Sequence, residues 1–132
     1  MENVRNSVVK SVETAVQAGD SRTARDILAK QQGLFSPENP APKGLLLRII
    51  RDLHDEQEWD ASVAVMEQLL HQAPTPQPTV QLKLAQILFQ VSKSPSRALE
   101  VLNALPEQLT ADQAKLRTRL QHLVSKAMEQ ST

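Results

Sequence analysis

The chain is predicted to be all-α, on three observations. Its eight prolines are gathered at 37–42, 74–78, 95 and 106, and proline breaks helix interiors by removing an N–H and crowding the preceding turn. The stretches between them carry apolar residues at helical spacing, three and four apart. No stretch of comparable length alternates with the period of two that marks a half-buried strand. About seven helices and no sheet follow.

Taken in order, the first stretch places Val4, Val8, Val12 and Ala15 at helical spacing before the turn residues Gly19-Asp20. Ala24, Ile27 and Leu28 then define a second helix, which Gly33 is expected to end as a small C-capping residue. After the first proline cluster come Leu46, Ile49, Ile50 and Leu53, a polar break at 55–58, and then Val63, Met66, Leu69 and Leu70. The third stretch shows Val80, Leu84, Ile87, Leu88 and Val91, followed beyond Pro95 by Ala98, Leu99, Val101, Leu102 and Leu105. The last helix opens at Thr110, with Gln113 at capping-box spacing, and runs through Ala114, Leu116, Leu120, Leu123, Val124 and Ala127.

Composition narrows the function. At 132 residues and 40% hydrophobic content the chain is long enough to bury a core as one domain, 1–132. Fifteen Lys and Arg balance fifteen Asp and Glu, which gives no general attraction to polyanions or membranes. Cysteine is absent, so disulfides, thiolate zinc sites and thiol catalysis are excluded. Aromatics are too few for a base-stacking platform. The polar start has no apolar signal-peptide core, and Leu45-Leu46-Leu47 is interrupted by Arg48, far short of a membrane span. A soluble, cytoplasmic chain without membrane insertion is the expectation.

The helices form pairs, and the pairs repeat. Ala24, Ser62 and Ala98 take the same early place in the second helix of each pair, separated by 38 and 36 residues. Ala18-Gly19-Asp20-Ser21-Arg22-Thr23-Ala24 supplies a Gly-Asp turn and then a small residue, and Trp59-Asp60-Ala61-Ser62 sets an aromatic three residues before another. Pro74 falls twelve residues after Ser62. These features resemble the tetratricopeptide repeat family, whose unit is a helix pair of about 34 residues. Ile50 and Gln86 stand where that family usually carries Gly or Ala, the linkers at 33–42 and 73–78 are longer, and Lys93-Ser94-Pro95 replaces its Gly-aromatic turn. The resemblance implies a right-handed superhelix of antiparallel hairpins, with repeats at 3–36, 43–74 and 78–106 and a solvating cap helix at 110–129. Periodicity alone supports only helix hairpins, so an unrelated helical bundle stays open.

No arrangement for catalysis stands out. Three isolated glycines cannot form a phosphate-cradling loop, and the histidines His54, His71 and His122 lie in three different helices with no serine elbow nearby. His54 and Glu58 have helical spacing for a metal or acid–base pair, but Glu58 lies near the expected turn, and the pair reads as solvated surface. The stripe Lys115, Arg119, His122 and Lys126 reads as the polar face of an amphipathic helix rather than a nucleic-acid contact. The expectation is a protein that is not an enzyme, with no cofactor and no metal site.

What the implied architecture offers is a concave groove that captures a peptide or protein segment. On the first helix of each pair, the residues left over from the core stripe are Val9 and Glu13, then Leu47, Arg48, Arg51 and His54, then Lys83, Gln86 and Gln90. Some members of the family grip a terminal carboxylate with a lysine and asparagines; Val9 and Glu13 occupy the matching places here, so that clamp is not supported. Arg48, Arg51 and Lys83 outnumber Glu13 and Asp55 and favour an acidic ligand. The alternative is a structural or oligomerisation domain of a larger assembly that self-associates as a homo-oligomer through its C-terminal helix, a reading that an exposed apolar patch at Leu123 and Val124 would favour.

Overall fold

In the computed structural model of the protein, the structure describes residues 3–130. Seven α-helices follow one another: α1 (Asn3–Gln17), α2 (Ser21–Lys30), α3 (Lys43–Asp55), α4 (Trp59–Gln72), α5 (Pro78–Gln90), α6 (Pro95–Asn103) and α7 (Ala111–Gln130). One 3₁₀ turn, Gln32–Leu34, follows α2, and no strand occurs among the described residues. The helices fall into two compact units that meet in sequence at Pro74 and Thr75, inside the second proline cluster. No helix among the described residues is long and apolar enough to cross a membrane.

Three hairpins, α1–α2, α3–α4 and α5–α6, turn in a related way. Each passes through one left-handed residue: Gly19 (φ 78°), Gln57 (φ 58°) and Lys93 (φ 55°). Each of these lies five residues before Ala24, Ser62 or Ala98, and all three small residues are 0% exposed. The period in the sequence is therefore also a period in backbone conformation. In the first two hairpins the closing bonds match. Gly19 and Gln57 donate to Val16 and His54 (both 3.0 Å), and Asp20 and Glu58 donate to Ala15 and Leu53 (2.9 and 2.8 Å). This paired bonding satisfies carbonyls that a helix end leaves open. The third turn is wider: Ser94 donates six residues back to Leu88 at 2.8 Å.

In the first unit, α1 packs on α2, α3 packs on α4, and α2 also lies against both α3 and α4. Val12, Val16, Leu28, Leu46, Ile49, Leu53, Met66 and Leu69 are buried, and each such side chain contributes about 1.5–3 kcal/mol of hydrophobic stabilisation. Val4, expected on the same stripe as Val12, is 59% exposed, so burial on α1 is concentrated in its C-terminal half. Ser21, itself buried, donates its hydroxyl to Asp52 Oδ2 at 3.1 Å and ties α2 to α3. The long linker is held down rather than loose. Phe35 and Ala41 are buried, the Arg5 guanidinium lies 5.8 Å from the Phe35 ring centre and donates to the Pro40 carbonyl at 2.5 Å, and Gln72 donates to the Ala41 carbonyl at 3.0 Å. Gly33, expected as a C-cap, instead lies inside the 3₁₀ turn, because α2 already ends at Lys30.

In the second unit α5, α6 and α7 pack on one another. The proline at the start of α5 and of α6 occupies the first helical position, where no intrahelical N–H is lost. Gln81 donates to the Ala104 carbonyl at 3.2 Å and joins α5 to the end of α6. The expected capping box at α7 is formed: Gln113 N–H donates to Thr110 Oγ1 at 3.1 Å, and Thr110 N–H to Gln113 Oε1 at 3.0 Å. Leu120 and Val124 are the buried residues of α7. Val124 is 0% exposed and Leu123 half-buried, so the two do not form an exposed apolar patch that would favour self-association.

Candidate functional site

The predicted groove residues are distributed over both units. On α1, Glu13 is exposed and Val9 half-exposed. On α3, Leu47, Arg48 and Arg51 line one surface hollow of about 560 Å³ together with Gly44, Asp52 and Asp55. These six recur three and four residues apart, so they form one helical face, opposite in character to the buried Leu46–Ile49–Ile50–Leu53 face. Arg48 and Arg51 are exposed, and Leu47 is 37% exposed.

His54 does not belong with them. Its Nε2 is hydrogen-bonded to the Ser62 hydroxyl, and its ring lies against Trp59 with centroids 5.3 Å apart. It is half-buried inside the second hairpin, because α3 and α4 close there on a polar partner and a flat apolar surface. A hydroxyl beside an imidazole has the elements of a nucleophile and base, but Ser62 is 0% exposed and no substrate can reach it. Glu58 faces Arg22 at 3.7 Å, an exposed pair of small energetic weight. No group of three or more His, Cys, Asp or Glu that could hold a metal ion occurs among the described residues.

In the second unit the structure gathers Lys83 and Gln86 into a cleft of about 330 Å³ between α5 and α7; Gln90 lies outside it, exposed near the end of α5. Thr79, Leu82, Lys83 and Gln86 form the α5 wall, and Asp112, Gln113 and Leu116 the α7 wall. The lining surface is mostly apolar, with buried Leu82 and half-buried Leu116 as its greasy floor. Gln113 Nε2 donates to Thr79 Oγ1 at 3.2 Å and sets the register of the two N-terminal ends. One residue therefore both caps α7 and fixes the mouth of the cleft.

Leu116 and Gln113 are the residues of this cleft that sequence reasoning placed elsewhere, on the apolar stripe and in the capping box. Their second role depends on α7 lying beside α5, which no local pattern encodes. Lys115, Arg119, His122 and Lys126 are all exposed, as the polar face of α7. No family model, curated protein or solved structure matches the chain.

Proposed function

We propose that the chain is a non-enzymatic, cytoplasmic interaction module of tetratricopeptide-like hairpins that binds a peptide or protein segment. The observation that carries this reading is the α5–α7 cleft, a mostly apolar slot edged by a few polar groups, which is the usual make-up of a recognition site. An apolar side chain of the ligand would fill the space over Leu82 and Leu116. Lys83 on one wall and Asp112 on the other give the slot a direction: an acidic group toward α5, and backbone N–H or a basic group toward α7. The matching hairpin turns and the fully buried Ala24, Ser62 and Ala98 support the repeat reading.

Selection from a displayed peptide library on the full chain tests it. The expected result is enrichment of segments pairing an apolar residue with Asp or Glu. Their affinity should fall about tenfold in folded Lys83→Glu and Leu116→Ser variants, as for truncation of a central interface residue. Arg51→Glu, separately, reports whether the α3 face contributes. Peptides that bind both cleft variants as tightly as the parent chain, or a selection that enriches none, would sink the proposal.

A further inference from the structure

We infer that the peptide or protein segment bound in the α5–α7 cleft continues past the slot as an acidic run held by the cationic face of α7, an inference that rests on the cleft being the binding site. The zero net charge of the whole chain conceals a division. Residues 75–132 hold seven Lys and Arg against four Asp and Glu, whereas residues 1–74 hold eight against eleven. Much of the excess lies on one helix. Between Asp112 and Glu129, α7 carries four Lys and Arg and no carboxylate. Three of the four, Lys115, Arg119 and Lys126, stand with His122 three and four residues apart on one exposed face. Among the described residues none of these side chains makes an ion pair.

This face adjoins the slot. Leu116, on the floor of the cleft, is three residues from Arg119, and Asp112, on its wall, is three from Lys115; residues so spaced are neighbours on a helix surface. The sign of α7 therefore changes along its length, from one carboxylate at the slot to cations alone. From Lys115 to Lys126 that cationic face runs about 16.5 Å at 1.5 Å per residue. An extended ligand covers the distance with about five residues at roughly 3.3 Å each. Its side chains fall on one side at every second residue, about 6.6 Å apart, and the steps 115–119 and 122–126 are each about 6 Å. Carboxylates at alternate positions of the ligand thus match successive basic residues. A solvated helix gains from opposite charges four apart, and α7 has no such pair between Asp112 and Glu129, so its cations repel one another until an anion covers them. A nucleic-acid strand is a polyanion too, but the adjoining slot is apolar and holds no aromatic residue on which a base could stack.

The test uses the full chain and a displayed library of short randomised cores, each carrying a fixed Asn-Gly-Asn-Gly-Asn tail before or after the core. Enriched cores whose binding is lost in Leu116→Ser occupy the cleft. They are then synthesised with that tail and with its charged counterpart Asp-Gly-Asp-Gly-Asp. Affinities are measured for the parent chain and for a Lys115→Gln/Arg119→Gln/Lys126→Gln variant, whose exposed substitutions keep the fold, as circular dichroism checks. The expected result is about tenfold tighter binding of the acidic-tailed peptide at low salt, as several weak exposed pairs acting together give. That advantage should shrink as salt is raised and vanish in the variant. Equal affinity for the two tails, or an advantage that survives in the variant, would overturn the inference and leave the cleft reading standing. A selection that yields no core lost in Leu116→Ser would overturn both. Tighter binding of oligothymidylate than of the acidic tail, or a concentration-dependent rise in mass abolished by the same substitutions, would give the face to nucleic acid or to a second copy and overturn the inference as well.

Discussion

Gln57 occupies in the second hairpin the left-handed place that Gly19 occupies in the first, with φ of 58° and 78° and the same pair of closing hydrogen bonds. Glycine adopts that conformation without the steric cost a Cβ brings, roughly 1 kcal/mol. Gln57→Gly, and Lys93→Gly in the third hairpin, should therefore leave stability unchanged or raise it by up to about 1 kcal/mol, the larger unfolded-state entropy of glycine offsetting part of the gain. Gly19→Ala should lower it by about 1 kcal/mol, and from conformation alone, because a Cβ there meets nothing within 4 Å. Urea denaturation of the three variants checks the opposite signs.

The Ser62–His54 hydrogen bond joins the two helices of the second hairpin at a fully buried position. Ser62→Ala should cost about 1 kcal/mol, the ordinary net value of such a bond. His54→Ala should cost more, since it also removes the ring packed on Trp59. A double-mutant cycle in chemical denaturation should return a coupling of about 0.5–1.5 kcal/mol. Strict additivity would show that the two side chains act independently.

Asp20 caps α2 by accepting from the Thr23 hydroxyl at 2.7 Å and the Thr23 N–H at 3.1 Å. Those bonds, the hydroxyl first, hold its pKa below the ordinary 3.8. A depressed folded-state value means that the carboxylate contributes stability above the ordinary value, and that this contribution is lost as pH falls toward and through the folded value. The stability difference between the parent chain and Asp20→Ala should therefore be constant near neutral pH and shrink below about pH 4. Denaturation midpoints measured across that range provide the check.

Leu47 and Leu53 share a helix and differ in face: 37% exposed against fully buried. Leu53→Ala should cost about 2–5 kcal/mol through lost transfer energy and a residual cavity. Leu47→Ala should stay within about 0.5 kcal/mol. Thermal melts of the two single variants would separate them; equal losses would mean that the α3 face is not a surface.

Much of this chain could be read from local pattern, because helix formation and helix punctuation are local. Proline placement, apolar spacing and the Thr110–Gln113 box sufficed for seven helices with boundaries close to those observed, and the separation of Ala24, Ser62 and Ala98 located three fully buried positions. The site residues were less legible. A helical wheel ranks faces by hydropathy, and a histidine sits on its boundary, so His54 read as surface although Ser62 and Trp59 claim it. Val124 and Leu123 are adjacent and both apolar, yet only Val124 is fully buried.

The sequence by itself determined the all-α class, the hairpin period and the identity of most core residues, since backbone hydrogen bonding within four residues and the 3.6-residue period need no knowledge of neighbours. The tertiary structure alone decided which helix lies beside which. It placed Leu116 against the α5 face that carries Leu82, and it turned Gln113 into a partner for Thr79. It left Gln68 and Gln72 with one orphan atom each. Contacts such as that of Gln113 with Thr79 depend on side chains far apart in the chain coming together, and a one-residue change of helical phase, about 100°, would undo them.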